Sequence, residues 1–384
     1  MRDLGIGRES AGFVQRGHPW IRPDRFTKGL ERVRAGEVVR LIDEHGRGVA
    51  TALADPGAAV CARVVPDGWD PATAARTAWG RRAALHRDAD TDCYRVVHGE
   101  ADGLPGLRVE RLGSCLNAVV TAACILPHLD AVLRALAGEL PGATVLVHEH
   151  LADLRRAGVQ TRLWPAGTAD PELAVEGREL GVRYPLRPAA GLASGLYVDQ
   201  RATRAWLRRR AAGVRVLNLF AYTGAFSLAL LAAGAAEATD VDLSQPALDR
   251  AAETAALNRL TGHRSVRRDA RAFLAADRGA WDRIIIDPPT SAQGGDGWIA
   301  RRDYPELLRL AWPRLAPGGL LLAISNTLGK PFPLRETLRA ACPGGKPVDG
   351  PDLGPDLPQL PGFPEGRPFR ITGMAAPGAG GARP

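Results

Sequence analysis

Three aspartates stand where apolar runs end, which is how a nucleoside-binding site is built. Asp242 closes the run 238–241, Asp269 closes 265–268, and Asp287 closes 281–286. Ahead of them, Leu217-Asn218-Leu219-Phe220-Ala221-Tyr222-Thr223-Gly224 leads an apolar strand into a tight turn and then an apolar helix. Glycine in such a turn lets the main chain approach a ligand, and the first turn of the next helix offers unpaired N–H groups. An acid at the end of the following strand suits ribose hydroxyls. Asp269, one strand further, suits a base amino group. The turn is not the three-glycine cradle that a pyrophosphate needs, so the expected nucleoside carries no diphosphate. Each acid alone reads more readily as a capping or surface residue; the ordered set carries the inference.

Asp287-Pro288-Pro289-Thr290 follows the fourth strand. Two prolines hold an extended, rigid loop. Such a loop can set a carboxylate and an acceptor carbonyl beside a flat base. Together with a nucleoside site that lacks a phosphate cradle, this points to S-adenosylmethionine and methyl transfer rather than to hydride transfer. The polar, glycine-rich segment 291–297 reads either as a mobile lid or as an ordinary loop. The (Asn/Asp)-Pro-Pro-aromatic pattern of amino methylases is only approached, because Thr290 has no ring to stack on a base.

The elements that must position these groups form an alternating series. From residue 184 onward, strands at 214–219, 238–241, 265–268, 283–286 and 320–324 alternate with helices, which predicts a parallel, doubly wound α/β sheet. Ser244-Gln245-Pro246 caps a helix running to 260. A helix over 304–315 is expected to stop at Pro317-Gly318-Gly319, and a last strand falls near 369–372, before a loose tail from 375. Residues 11–70 hold short apolar runs (37–42, 48–53, 60–65) separated by turn signals, a small β module. Residues 71–86 read as a helical connector. Between 93 and 183 lies an α+β block with strands at 94–97, 107–111 and 145–147 and a helix over 129–140. The expected division is 1–72, 73–183 and 184–384.

The 384 residues are 45% hydrophobic and 24% charged, with net charge +8, enough for two or three domains with sizeable cores. A basic balance favours a polyanion such as RNA. Lysine occurs only at 28, 330 and 346, so the charge is carried by arginine, and a codon bias toward arginine gives the same surplus. The five cysteines (Cys61, Cys93, Cys115, Cys124, Cys342) form no C-x-x-C pair, which argues against a metal site and fits reduced thiols in a cytoplasmic protein. No secretory leader and no membrane-length apolar run is read.

These residues resemble the bacterial 23S ribosomal RNA methyltransferases, built from a PUA module, a central α+β domain and a class I, Rossmann-like methyltransferase domain. Arg16-Gly17-His18-Pro19-Trp20, Gly36-Glu37-Val38 and Arg63-Val64 are similar to the PUA pattern. Glu100-Ala101-Asp102-Gly103-Leu104-Pro105-Gly106-Leu107 resembles the central signature, Gly195 to Arg201 the lead-in to the cofactor site, and Pro364-Glu365-Gly366-Arg367 the closing motif. The resemblance implies that Gln200 and Arg201 flank S-adenosylmethionine and that Asn218, Phe220, Tyr222, Thr223 and Gly224 carry its floor. Asp242, Asp269 and Asp287 would line it. Ribosomal RNA, as 23S or an assembling large subunit, is the implied partner, and the oligomeric state is left open.

The family divides by target. Its 5-methylcytosine enzymes carry a nucleophilic cysteine after the fifth strand, because carbon 5 of cytosine must first be activated by thiolate addition. Here that stretch reads Ile324-Ser325-Asn326-Thr327, with Asn326 at the cysteine position, and resembles the 7-methylguanine branch. Guanine N7 presents a lone pair and needs mainly proximity, orientation and exclusion of water. The transfer residues read in this way are Asp287, Pro288, Pro289 and Asn326. Leu192-Ala193-Ser194-Gly195 departs from the Gln-Lys-Thr-Gly of many cytosine members, whereas the PUA module and the closing motif match that branch. Methylation of an exocyclic amine, cytosine-5 chemistry, a non-catalytic RNA-binding or assembly factor, and a small-molecule methylase are the alternatives.

Overall fold

The computed structural model describes residues 1–151, 159–292, 297–326 and 332–378. Most of the expected segment 291–297, together with Thr327 and the end of the tail, lies outside the described residues. The chain divides into two compact units. One comprises Met1–Arg178, Leu186–Asp199 and Leu353–Arg367; the other comprises Glu179–Pro185, Gln200–Asp352 and Pro368–Pro384.

The first unit contains two five-stranded sheets. Strands β1 (Arg2–Gly5), β2 (Trp20–Ile21), β3 (Val38–Ile42), β4 (Gly48–Ala54) and β5 (Ala62–Val65) pair in the order β1-β3-β4-β5-β2, with α1 (Arg8–Gln15). Their apolar positions form a small core around Leu4, Ile21, Val39, Leu41 and Ala52. The second sheet runs β10-β9-β8-β7-β6, from β6 (Cys93–His98), β7 (Leu107–Leu112), β8 (Cys115–Val120), β9 (Thr144–Glu149) and β10 (Gln160–Trp164). It packs with α2 (Pro71–Arg81), α3 (Ala83–His86) and α4 (Leu129–Glu139). Asp70 starts α2: its carboxylate accepts from Thr73 N at 2.7 Å, and Pro71 occupies the first turn, where no amide donor is needed.

Leu353–Arg367 belongs to this unit although it follows most of the second unit in sequence. Arg82 is buried, paired through both guanidinium nitrogens with Asp102 at 2.7 Å, and donates to Asp356 O at 2.7 Å. His98 Nε2 lies 2.9 Å from Gly366 O. The returning segment is therefore tied into the first unit by polar groups and by Phe363, whose ring lies 4.8 Å from that of Trp20.

Strands β11 (Val175–Glu179) and β12 (Val182–Leu186) lie where the chain passes between the units. The second unit is a seven-stranded sheet of β13 (Arg215–Leu219), β14 (Glu237–Asp242), β15 (His263–Arg267), β16 (Trp281–Ile286), β19 (Leu315–Ser325), β20 (Lys346–Asp349) and β21 (Arg370–Ala375). A short ribbon of β17 (Ser291–Ala292) and β18 (Trp298–Ile299) interrupts the series. The order is β15-β14-β13-β16-β19-β21-β20, parallel through β19, with β21 antiparallel to β19 and β20 antiparallel to β21. The helices are α5 (Arg201–Arg208), α6 (Ala225–Leu231), α7 (Gln245–Leu257), α8 (Ala270–Ala276), α9 (Ala300–Ala311) and α10 (Leu334–Ala341). Leu217, Leu219, Ile284, Ile286, Leu321 and Ala323 form one apolar face with residues of α8, α9 and α10. The sheet is a Rossmann-like α/β layer whose strand carboxyl ends carry the expected site residues.

Of the boundaries that differ from the sequence reading, two have a local physical cause. Helix α9 begins at Ala300, four residues early, because Asp303 reaches back to accept from Ile299 N at 2.8 Å. Strand β19 begins at Leu315 and passes through Pro317-Gly318-Gly319 instead of starting after it. The register slips between Trp281 and Arg283 on its partner, and a side chain at Gly319 would meet Ala316 O at 2.9 Å. The glycines thus permit a bulge where a helix stop is expected.

Candidate active site

Strand β13 ends at Leu219, and the main chain then enters an unusual turn. Phe220 has φ 58°, Tyr222 has φ 51° and Gly224 has φ 70°. Two side-chain-bearing residues in the left-handed region store backbone strain, which persists only where the surroundings dictate it. Here the surroundings are the end of β14. Ala221 N donates to Val241 O at 3.2 Å, and Tyr222 N donates to Asp242 Oδ2 at 2.8 Å. The other oxygen of Asp242 accepts from Ser244 N at 2.9 Å. Asp242 thus fixes the turn and the start of α7 together.

Beneath the turn lies a polar network that the sequence reading missed. Asp240 is fully buried; its Oδ1 accepts from Asn218 Nδ2 at 2.8 Å and from Ser227 Oγ at 2.5 Å. Its Oδ2 lies 2.7 Å from His263 Nε2. Asn218 is therefore turned into this buried network, 1% exposed. The only signal in the sequence was that Asp240 stands two positions before Asp242 and so shares its strand face. Asp269 caps α8, with Oδ1 accepting from Arg271 N and Ala272 N, both at 3.0 Å.

Asp287 is half-buried, Pro288 buried, and Pro289 and Thr290 exposed. Trp298 Nε1 donates to Pro289 O at 2.8 Å, and its ring lies 4.9 Å from that of Phe220, so one indole touches both turns. Thr290 Oγ1 donates to Asn326 Oδ1 at 3.0 Å, which joins the loop after β16 to the end of β19. Tyr304 OH lies 3.0 Å from Ile286 O and 2.8 Å from Ile324 O, and accepts from Ile324 N at 3.1 Å. Burial, and then the charge of Asp287, hold this phenol well above its ordinary range, so it stays protonated as a donor. Neither Trp298 nor Tyr304 was read from the sequence as a site residue.

Gln200 and Arg201 open α5 and are both buried. Helix α5 packs on α6, and the Arg204 guanidinium sits 5.6 Å from the centre of the Phe226 ring. Gln200 Oε1 is buried with no hydrogen-bond partner among the described residues. A buried acceptor without a partner is costly unless a ligand donor completes it. The ammonium or hydroxyl groups of an amino-acid-bearing nucleoside are donors of that kind.

All five cysteines are buried. Cys342, the one within the second unit, is packed in the apolar core, and burial pushes its thiol up to about 12. Among the described residues no group of three or more His, Cys, Asp or Glu side chains could hold a metal, and no helix is long and apolar enough to cross a membrane.

Comparison with known proteins fits this geometry. A family model described as S-adenosylmethionine-dependent methyltransferase matches residues 149–362. This chain belongs to that family. A PUA-like domain model matches residues 7–66, over the first sheet. The ribosomal RNA large subunit methyltransferase of Deinococcus radiodurans is 33% identical over 342 residues, covering 84% of each chain. Ribosomal RNA large subunit methyltransferase I of Klebsiella pneumoniae is 32% identical over 339 residues, covering 84% of this chain and 83% of its own. Among solved structures, SMU.776 complexed with SAH superposes with a TM-score of 0.84 at 21% identity, covering 98% of this chain and all of that one, a likeness of fold. The methyltransferase chain thus carries its family's cofactor domain and an N-terminal PUA-like module.

Proposed function

We propose that this methyltransferase acts on large-subunit ribosomal RNA and transfers the methyl group directly to a base nitrogen, guanine N7, without a cysteine nucleophile. The relatives named above support the RNA class. The observation that carries the finer reading is Asn326. It follows the last residue of β19 and accepts from Thr290 of the Asp-Pro-Pro-Thr loop, at the position where the resemblance would require a thiol for cytosine chemistry. The only cysteine of this unit is buried in the core.

The cofactor supplies a methyl group on a positively charged sulfur, which makes it electrophilic toward a lone pair. Gln200, Asp242 and Asp269 bind it in this reading, and Phe220 to Gly224 form the floor. Asp287 and Asn326 hold the edge of the base by hydrogen bonds. The rigid Pro288-Pro289 pair fixes the approach. Guanine N7 has its lone pair in the ring plane and carries no proton, so no general base is required; orientation and desolvation supply the rate. The target would be splayed out of its stack to reach the strand ends. The three-part division at about residues 72 and 183 is part of the same proposal, with the PUA-like module and basic surface serving to position RNA.

The test is transfer of isotopically labelled methyl from S-adenosylmethionine to unmodified large-subunit ribosomal RNA, followed by digestion and mass spectrometry of the nucleosides. Labelled 7-methylguanosine is expected. Labelled 5-methylcytidine would overturn the cysteine-free mechanism, and no label on RNA or on assembling subunits would overturn the RNA substrate.

A further inference from the structure

Strands β16 and β19 pair in parallel register as Ile284 with Leu321, Ile285 with Leu322 and Ile286 with Ala323. One more step of this ladder would join Ile324 N–H to Ile286 C=O, and the N–H of residue 288 to Ile324 C=O. Residue 288 is proline and has no N–H. The ladder loses one of the two bonds of that step, and the buried Ile324 C=O would be left without its donor. The Tyr304 hydroxyl occupies this place. It accepts from Ile324 N at 3.1 Å and lies 2.8 Å from Ile324 O and 3.0 Å from Ile286 O. One oxygen thus stands in for the missing rung.

A phenol is wider than a direct N–H···O contact, so a rung made through it keeps the two strand ends apart. Immediately beyond it come Asp287 on one side and Ser325-Asn326 on the other. The ring that delivers the hydroxyl is itself fixed: Phe332 stacks on it at 5.5 Å, and Trp298 meets its edge at 6.1 Å. At the outer rim the same two loops are joined again by the Thr290–Asn326 hydrogen bond of 3.0 Å. The loops are therefore spaced at their base by Tyr304 and tied at their tip by Thr290.

We propose that Tyr304 is a positioning residue for methyl transfer: its hydroxyl, wedged where Pro288 breaks the ladder, sets the spacing between Asp287 and Asn326. It touches neither base nor methyl group, and it acts through the two loops. The inference rests on the assignment of Asp287 and Asn326 to the transfer site.

The variants are Tyr304→Phe, which keeps the ring and removes the oxygen, and Tyr304→Phe combined with Pro288→Ala, which restores an N–H at residue 288 and lets the ladder close directly. Four quantities are measured beside the unaltered protein: thermal midpoint, S-adenosylmethionine affinity by calorimetry, amide exchange at Ile324, and kcat for transfer to unmodified large-subunit ribosomal RNA. Tyr304→Phe should leave cofactor affinity within about twofold, speed exchange at Ile324 and lower kcat on the order of 10- to 100-fold, the scale of a misplaced reacting group. The double variant should regain slow exchange and thermal stability but not kcat. If Tyr304 merely satisfies buried groups, the double variant recovers kcat as well, and the proposal is overturned. It is overturned too if Tyr304→Phe turns over at the unaltered rate. Because Pro288 itself belongs to the transfer set, Pro288→Ala alone is measured beside the double variant; should Tyr304→Phe fail to fold, equal kcat in these two overturns the proposal, and a lower kcat in the double variant is the result expected. Absence of transfer by the unaltered protein would instead sink the functional reading, while normal transfer with indifferent variants sinks only the role of Tyr304.

Discussion

The Cα of Gly224 rests against the carboxylate of Asp240: a Cβ placed on it would lie 2.2 Å from Asp240 Oδ2. Gly224 also holds φ +70°, which L side chains rarely adopt. Glycine is thus demanded from below, by a buried acid, as well as by any ligand above. Gly224→Ala should cost about 1–3 kcal/mol of stability, the range for a forced left-handed residue. Urea unfolding checks it. Because the clash is with Asp240, the Gly224→Ala, Asp240→Ala double variant should lose less than the sum of the singles; simple additivity would contradict the contact.

Asp242 predicts a separable effect on the cofactor. Its two oxygens hold Tyr222 N at 2.8 Å and Ser244 N at 2.9 Å. Asp242→Ala removes two charge-assisted bonds from a strained turn, each worth about 1.5–3 kcal/mol. Calorimetric affinity for S-adenosylmethionine should fall by about tenfold or more, since 1.4 kcal/mol is a factor of ten. Unchanged affinity would remove Asp242 from the binding set.

Much of this could be read in the sequence, and the exceptions have physical causes. The strands that end in Asp242 and Asp287 were legible because buried parallel strands are short apolar runs flanked by turns. The Ser244 cap of α7 followed from residue type alone, and Ser244 Oγ accepts from Ala247 N at 3.3 Å. Strand β8, Cys115–Val120, has every residue buried and so shows no alternation to find. Strand β20 contains Pro347 and has no strand pattern in the sequence; it lies at the sheet edge, where a missing N–H is tolerated. The return of Leu353–Arg367 to the first unit depends on Asp356 and Gly366 meeting polar groups more than 250 residues earlier in the chain, the main-chain N–H of Arg95 and the ring of His98. No local periodicity encodes such a contact. Tyr304 was hidden for another reason: its role exists only once the ladder register is known.

Two buried histidines predict a pH window for stability. Burial lowers His98 and His148 from the ordinary 6.5 to about 4. A depressed histidine is neutral in the fold and takes up a proton more readily when unfolded. Its contribution is present above pH 6.5 and is lost as pH falls toward 4, at up to about 1.4 kcal/mol per pH unit for each group. Melting temperatures between pH 7 and 4 should fall more steeply for the unaltered protein than for a His98→Gln, His148→Gln variant. Parallel curves would contradict the assignment.

The thiols give a direct check on chemistry. All five cysteines are buried, and burial raises Cys61 to about 11 and Cys115, Cys124 and Cys342 to about 12. Thiolate is the reactive form, so these groups should be inert in the folded protein. A colorimetric thiol reagent at pH 8 should report less than about one reactive group before unfolding and all five after it. Cys342→Ala should leave methyl transfer intact; its loss, with folding preserved, would reopen a thiol mechanism.

Asn326 carries the last prediction, because it separates binding from transfer. Its Oδ1 is held by the Thr290 hydroxyl at 3.0 Å, which leaves the amide N–H groups as the donors a base edge would meet. Asn326→Ala removes those donors without touching Gln200, Asp242 or Asp269, so cofactor affinity should stay within about twofold while kcat drops on the order of 10- to 100-fold. Thr290→Val is nearly isosteric and removes only the hydroxyl that orients Asn326. It should slow transfer by a smaller factor and, combined with Asn326→Ala, add nothing further, since the hydroxyl acts only through that amide. Single-turnover transfer to ribosomal RNA with saturating cofactor distinguishes the cases. If Thr290→Val still slows transfer when Asn326 is already alanine, then the hydroxyl has a target of its own, and Asn326 is not the group through which the Asp-Pro-Pro-Thr loop reads the base.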